Sequence, residues 1–129
     1  MRLLDTVALI AYLNPKDREH KRSKEYFEEL NLEDSDIFIP NTSLIEADLL
    51  MKIRGYDFSE REVSWRALES RVPEAHLLTN SISSIYSALE FQEKGLDYFD
   101  SLITSLARET DSPIITTDKV IGTFVQAEW

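Results

Sequence analysis

The chain has 129 residues and a mass of 14.9 kDa, and we predict one domain over residues 1–129 with a full hydrophobic core. Apolar residues make up 43% and charged residues 29%, which excludes a disordered or collagen-like chain. Without cysteines, a signal-peptide pattern or a long apolar run, we expect a cytoplasmic protein with no membrane partner. The net charge of -10 argues against nucleic-acid binding through a basic surface alone.

The first third of the chain alternates short apolar strands with helices. Residues 3–4 end an apolar run that is typical of a buried strand, and a helix is predicted over Thr6–Leu13. The Asn14-Pro15 pair stops that helix. A second helix is predicted over residues 18–30, and residues 37–39 are predicted to form a strand that a proline closes.

The middle of the chain contains two predicted helices of different character. Residues 44–53 form an apolar helix that ends before Gly55. Residues 59–71 form a polar helix, for which Ser59 and Glu62 have the spacing of a capping box. Residues 77–78 are a brief apolar strand.

The last third repeats the same alternation. Helices are predicted over residues 81–93, ended by Gly95, and over Tyr98–Glu109. Residues 113–116 are predicted to be a buried strand, and residues 124–125 a last one. The whole pattern predicts an α/β fold with a mostly parallel sheet of about four to five short strands wrapped by helices. In such sheets the ligand site lies beyond the carboxyl ends of the strands.

Four acidic residues lie where such a site would form. Asp5 and Asp118 follow predicted strands, whereas Glu46 and Asp100 lie in the early turns of predicted helices. A parallel sheet brings these features to one rim, where paired carboxylates repel by roughly 1 to 4 kcal/mol at 4 Å. A divalent cation would neutralise them, and oxygen ligands without His or Cys suit Mg²⁺ or Mn²⁺.

Each acid also has an ordinary structural explanation. Asp5 and Asp118 are suitable N-caps of helices. Glu46 lies three residues after Ser43, which is the spacing of a capping box. Asp97 is a candidate N-cap for the helix that follows it. In that case Asp100, in the first turn, complements the helix dipole.

The segments that carry the four acids resemble, in order, the motifs of the PIN-domain family, and most of all its VapC-type toxins. The resemblance covers nearly the whole chain and implies a three-layer α/β/α, PIN-like fold. Its segments are residues 3–10 with Asp5, 43–49 with Glu46, 96–107 with Asp100 and 114–118 with Asp118.

The resemblance implies a Mg²⁺- or Mn²⁺-dependent endoribonuclease that hydrolyses RNA phosphodiester bonds, as the toxin of a type II toxin–antitoxin pair. The implied catalytic and metal-binding residues are Asp5, Glu46, Asp100 and Asp118. A small antitoxin protein and a second copy of the chain are the implied partners.

The resemblance also suggests supporting residues around the acids. Thr6 and Thr117 match hydroxyls that orient the carboxylates, and Asp97 is an additional nearby acid that competes for the third ligand position. Lys21 and Arg22, in a basic segment, are candidate contacts for the RNA backbone. The alternative function is a non-catalytic, acidic α/β interaction module with the same fold.

Overall fold

The computed structural model describes all 129 residues and contains a five-stranded sheet. The strand order is β3-β2-β1-β4-β5, and every neighbouring pair is parallel. The strands are β1 Arg2–Leu4, β2 Ile37–Pro40, β3 Leu77–Leu78, β4 Ile114–Ile115 and β5 Ala127–Glu128. The predicted parallel sheet is therefore confirmed.

Six helices connect and cover the strands. They are α1 Thr6–Leu13, α2 His20–Leu30, α3 Asn41–Ile53, α4 Phe58–Glu69, α5 Ile82–Glu93 and α6 Tyr98–Glu109. Two short 3-10 turns are formed by Glu74–His76 and Ile121–Thr123. None of the helices has the length and apolar character needed to cross a membrane.

Two neighbouring leucines of β1 show how the sheet separates two cores. Successive side chains of a strand point to opposite faces, so Leu3 and Leu4 are both fully buried but on different sides. Leu4 belongs to a cluster with residues of α1 to α4, whereas Leu3 packs with Ile103 and Leu106 of α6. Helices therefore cover both faces, and the three-layer α/β/α arrangement is confirmed.

The last strand lies further along the chain than predicted. Residues 124 and 125 were expected to form it, but the β5 ladder uses Ala127 and Glu128. The N–H groups of Phe124 and Val125 both donate to the carbonyl of Ile121, at 3.0 and 3.2 Å. Because these N–H groups close a turn, they cannot donate to a neighbouring strand. The prediction of a strand at residues 124–125 is therefore wrong.

The cap of α4 also differs from the prediction. The helix begins at Phe58, and its N-cap Asp57 accepts a hydrogen bond from the Glu60 backbone N–H at 2.8 Å. The Glu60 side chain accepts from the Asp57 N–H in return, at 3.1 Å. The capping box thus involves Asp57 and Glu60, and the Ser59–Glu62 assignment was wrong, because the helix starts before Ser59.

This cap gives a stability prediction with an internal control. Asp57→Ala removes an acceptor for the first turn of α4 and is expected to lower the free energy of unfolding by about 1 kcal/mol. Ser59→Ala, two residues away on the exposed helix surface, is expected to change it by less than about 0.5 kcal/mol. Urea unfolding of the two variants measures both values, and equal effects would contradict the assigned cap.

Candidate metal centre

Asp5 lies at the carboxyl end of the central strand and begins α1. One carboxylate oxygen accepts from the Thr6 backbone N–H at 2.8 Å, so the N-cap interpretation is confirmed. The other oxygen accepts from the Thr116 hydroxyl at 2.7 Å. Only 3% of the residue is exposed, so two hydrogen bonds hold this carboxylate in one orientation at the floor of the site.

Glu46 approaches from α3, and the capping-box interpretation of Glu46 is wrong. The helix begins at Asn41, three residues earlier than predicted, with Pro40 as N-cap and no side-chain cap. Glu46 therefore lies in the second turn, where the backbone N–H groups are already paired within the helix. Its carboxylate is free to face the end of the sheet.

Asp100 approaches from the first turn of α6. Its backbone N–H donates to the Asp97 carboxylate at 2.8 Å, so Asp97 is the N-cap of this helix, as one of the alternatives predicted. Because the cap directs the Asp97 carboxylate back to the helix backbone, Asp100 is the acid that the helix presents to the other two carboxylates.

Three of the four acids come together as one group. Asp5, Glu46 and Asp100 each offer an oxygen, and these oxygens lie within 4.8 Å of one another. Two ligands on opposite sides of a Mg²⁺ ion with bonds of about 2.1 Å are roughly 4.2 Å apart. The spacing and the all-oxygen donor set therefore fit a small, hard divalent cation after a minor side-chain adjustment.

Asp118 lies at the rim of the same cavity and outside this group of three. One of its carboxylate oxygens accepts from the Val120 backbone N–H at 2.8 Å. The Asp118 backbone N–H in turn donates to the Thr116 hydroxyl at 3.0 Å. Asp118 thus shapes the turn after β4, and its negative charge adds to the field at Asp5 and Asp100.

Burial and mutual repulsion raise the pKa values of the three grouped carboxylates. Burial raises the pKa of Asp5 to about 6, and the nearby carboxylates add to that effect. Burial, followed by the charges of Asp97, Asp5 and the other acids, raises the pKa of Asp100 to about 8. Burial also raises the pKa of Glu46, which the Thr6 hydroxyl partly offsets. A cation placed among these groups would reverse all of these shifts.

Thr116 makes the hydroxyl contacts that the resemblance assigned to Thr117. β1 and β4 pair Leu4 with Ile115, so the residues that follow, Asp5 and Thr116, are neighbours beyond the ladder. Thr116 is buried and bonds both Asp5 and the backbone of Asp118, whereas Thr117 is exposed and bonds neither carboxylate. The alternation of faces along β4 was the sequence signal that distinguishes the two threonines.

Thr116 gives a second prediction, on cation affinity. Thr116→Val removes the donor to Asp5 and the acceptor for the Asp118 N–H, and is expected to weaken Mn²⁺ binding about 10- to 100-fold. Thr116→Ser keeps the hydroxyl and should restore most of the affinity. Isothermal titration calorimetry with Mn²⁺ measures the affinity of each variant. If only Thr117→Val lost affinity, Thr117 and not Thr116 would be the threonine that supports the site.

Thr6, the other predicted hydroxyl, is buried on α1. Its hydroxyl lies 3.5 Å from the carbonyl oxygen of Ser43, at the start of α3. It therefore links the helix that begins at Asp5 to the helix that carries Glu46. The same hydroxyl also lowers the pKa of Glu46.

The carboxylates open into a cavity of about 420 Å³. Two arginines, Arg18 and Arg54, line it together with seven acidic residues. The acidic residues of the lining are Asp5, Asp17, Glu19, Glu46, Asp97, Asp100 and Asp118. The cavity is therefore a strongly anionic space with two cationic side chains.

The predicted RNA contacts lie outside the cavity. Lys21 and Arg22 belong to the exposed side of α2. The Arg22 guanidinium already contacts Glu25 at 2.9 Å and the Tyr26 hydroxyl at 3.1 Å. Sequence reasoning did not identify Arg54, although its spacing from Glu46 along α3, eight residues, was a signal that both lie on one helix face.

The fold and the site define a class of parallel α/β/α protein with a carboxylate centre at the carboxyl edge of the sheet. A model of the PIN domain matches residues 2–124, and the chain therefore belongs to the PIN-domain family. PIN domains are in general nucleases. No curated protein matches this sequence.

Several solved structures share the fold at low sequence identity. VapC20 of Mycobacterium tuberculosis, a toxin that cleaves the sarcin–ricin loop, has a TM-score of 0.74 at 17% identity over 98% of both chains. FitAcB from Neisseria gonorrhoeae has 0.70 at 18% identity, with 98% of this chain and 96% of that chain covered. VapBC2 from Rickettsia felis, bound to a promoter DNA fragment, has 0.69 at 16%, covering 98% and 96%.

Proposed function

We propose that the protein is an endoribonuclease that needs Mg²⁺ or Mn²⁺ and hydrolyses RNA phosphodiester bonds as the toxin of a type II toxin–antitoxin pair. The observation that carries the proposal is the group of three carboxylate oxygens within 4.8 Å of one another at the carboxyl edge of a PIN-domain sheet. Asp5 and Asp100 would hold the ion, Glu46 lies in the same group of three, and Asp118 adds charge at the rim.

The chain's own residues have distinct parts in this proposal. Asp5, whose carboxylate is held by the Thr6 N–H and the Thr116 hydroxyl, would supply a ligand oxygen in a fixed orientation. When bound, a divalent ion lowers the pKa of water and shelters the negative charge on the phosphate. Glu46 is half-buried on a separate helix, and we assign it either a place among the ligands or the part of a base that accepts a proton from the attacking water.

An antitoxin partner is proposed from the structural neighbours, several of which are toxin–antitoxin complexes. We propose that a small antitoxin binds this chain and that the pair is cytoplasmic, where its RNA substrate is found. Co-purification with the product of an adjacent reading frame tests the partner.

A homodimer is proposed from one face of α5. Ile82, Ile85, Tyr86 and Leu89 recur at helical spacing and are 83%, 49%, 63% and 60% exposed. An apolar stripe of this kind is typical of an interface between chains. Light scattering of the purified protein, compared with Tyr86→Glu, tests whether this face joins two copies.

The test of the activity is cleavage of total RNA and transfer RNA by purified protein with Mn²⁺, with Mg²⁺ and with EDTA. Discrete products that need the added ion are expected. Failure to cleave any RNA with either ion, in protein shown to be free of antitoxin, would favour the alternative of a non-catalytic interaction module with the same fold.

A further inference from the structure

We propose that Arg54, Arg18 and Trp129 are the residues that hold a single strand of RNA across the carboxylates. The inference rests on the proposed ribonuclease function and deepens it by naming the residues that position the substrate. All three side chains line the same cavity as the carboxylates, and they come from three different parts of the chain. They are the cavity's two cations and its one aromatic side chain.

Arg54 lines the cavity from the carboxyl end of α3. Glu46 and Leu50 of α3 and its C-cap Arg54 recur every four residues, and all three line the cavity. Eight residues of helix place Arg54 about 12 Å along the helix axis from Glu46. Ile10 of α1 lines the cavity together with Leu50, so an apolar floor lies beside the path from the acids to the guanidinium.

Arg54 also has no partner within the chain. Its side chain makes neither an ion pair nor a hydrogen bond, unlike Arg2, Arg61 and Arg108, which all bind carboxylates. An unpaired guanidinium has its full set of donors for a phosphate, which it binds in a forked geometry. Arg54 can therefore bind an anionic ligand without first breaking an ion pair.

Arg18 and Trp129 line the cavity from two other parts of the chain. The Arg18 side chain is 93% exposed, and its contact with neighbouring Glu19 is long, at 3.7 Å. An exposed pair of this kind contributes little, so the guanidinium is free to contact a phosphate. The Trp129 indole N–H donates to Glu19 at 2.9 Å, and its ring packs on Tyr26 with centroids 5.7 Å apart. These contacts fix the ring at the cavity wall as a surface on which a base can stack.

The charge of the cavity explains why these contacts are needed. Seven acidic residues line it and repel the phosphates of an approaching strand. A bound cation offsets the charge at the centre, whereas Asp17 and Glu19 belong to the segment between α1 and α2, which carries none of the three grouped acids. The two arginines are the remaining positive groups of the lining, so the strand has to meet them to remain in the cavity.

The experiment measures binding separately from cleavage. A fluorescein-labelled, 12-nucleotide single-stranded RNA of mixed sequence is titrated in EDTA at several salt concentrations. Arg54→Gln and Arg18→Gln are each expected to weaken binding about 10-fold at low salt and to reduce the salt slope by about 0.7. Arg71→Gln, an exposed arginine outside the cavity, is the matched control and should bind as the wild type does.

Tryptophan fluorescence reports on the third residue. The chain has two tryptophans, and Trp65 lies on α4, where it donates to Asp48. In a Trp65→Phe protein Trp129 is the only tryptophan, and RNA binding is expected to quench its fluorescence. In the same background Trp129→Leu should weaken RNA binding about 5-fold or more, because a stacking surface is lost.

The outcomes separate this inference from the proposed function. Wild-type affinity in both arginine variants, absence of RNA binding by the wild type, or weaker binding only in Lys21→Glu/Arg22→Glu, would overturn the inference. If the wild type cleaves RNA but the arginine variants bind normally, the ribonuclease proposal stands and the inference fails. If Arg54, Arg18 and Trp129 govern RNA binding but no ion supports cleavage, the inference stands and the ribonuclease proposal fails.

Discussion

Asp5→Asn is expected to abolish metal-dependent RNA cleavage while the protein stays folded. Asparagine keeps the shape of the side chain and an oxygen that accepts from the Thr6 N–H, so the N-cap of α1 survives. The Thr116 hydroxyl can rotate to accept from the new amide. What is lost is one of three anionic ligands, and with about 4 kcal/mol of transition-state stabilisation removed the rate falls about a thousandfold.

The assay compares cleavage rates of the wild type and the variant in Mn²⁺, with circular dichroism as the check on folding. Asp111→Asn is the matched control, because Asp111 is exposed, lies outside the cavity and has a φ of 49° that asparagine also tolerates. The control should cleave at the wild-type rate. Activity of Asp5→Asn within a factor of ten of the wild type would remove Asp5 from the centre.

The sequence was sufficient to predict the sheet and the acids at its rim, since both depend on local patterns. Short apolar runs that alternate with helices predict a mostly parallel sheet, and Asp5 directly follows the first strand. Glu46 was placed correctly near the rim although its helix was expected to start three residues later. An error of about one turn in a helix boundary moves the cap but leaves the face of α3 that carries Glu46 in place.

The residues that were missed depend on packing between distant segments. β4 has only two residues, and Thr116, the residue directly after it, contacts Asp5. A shift of one position along the chain would bring Thr117 there instead, and the sequence alone does not fix that position. Arg54 enters the cavity only because α3 packs against α1, a contact between segments about 40 residues apart in sequence. The basic run around Lys21 was conspicuous in sequence, yet α2 presents it to solvent.

The metal-free protein is expected to lose stability as the pH rises from 5 to 8.5. The ordinary pKa of an aspartate is 3.8, and in the folded chain that of Asp5 is about 6 and that of Asp100 about 8. The folded state therefore binds protons more tightly than the unfolded state, and stability falls as pH rises through these folded values. For Asp5, which is almost fully buried, the part of this loss that lies between pH 5 and its folded pKa of about 6 corresponds to about 1.4 kcal/mol.

Urea unfolding in EDTA at pH 5, 7 and 8.5 measures this fall. The arginine partners of Asp36 and Asp48 lower the pKa values of these two carboxyls. Their effect on stability, which rises with pH, therefore falls in more acidic solution, outside the chosen range. Asp5→Asn and Asp100→Asn should flatten the profile by removing the titrating groups. A profile that rises with pH in EDTA would contradict the arrangement of the acids.

Addition of Mg²⁺ should restore most of the stability lost at pH 8.5 and little at pH 5. At the higher pH the carboxylates are ionised and repel one another, so a cation gains their full attraction, whereas at pH 5 it has to displace protons. The repulsion that destabilises the free protein is thus the source of its affinity for the ion. An equal gain from Mg²⁺ at both pH values would place the bound ion away from Asp5 and Asp100.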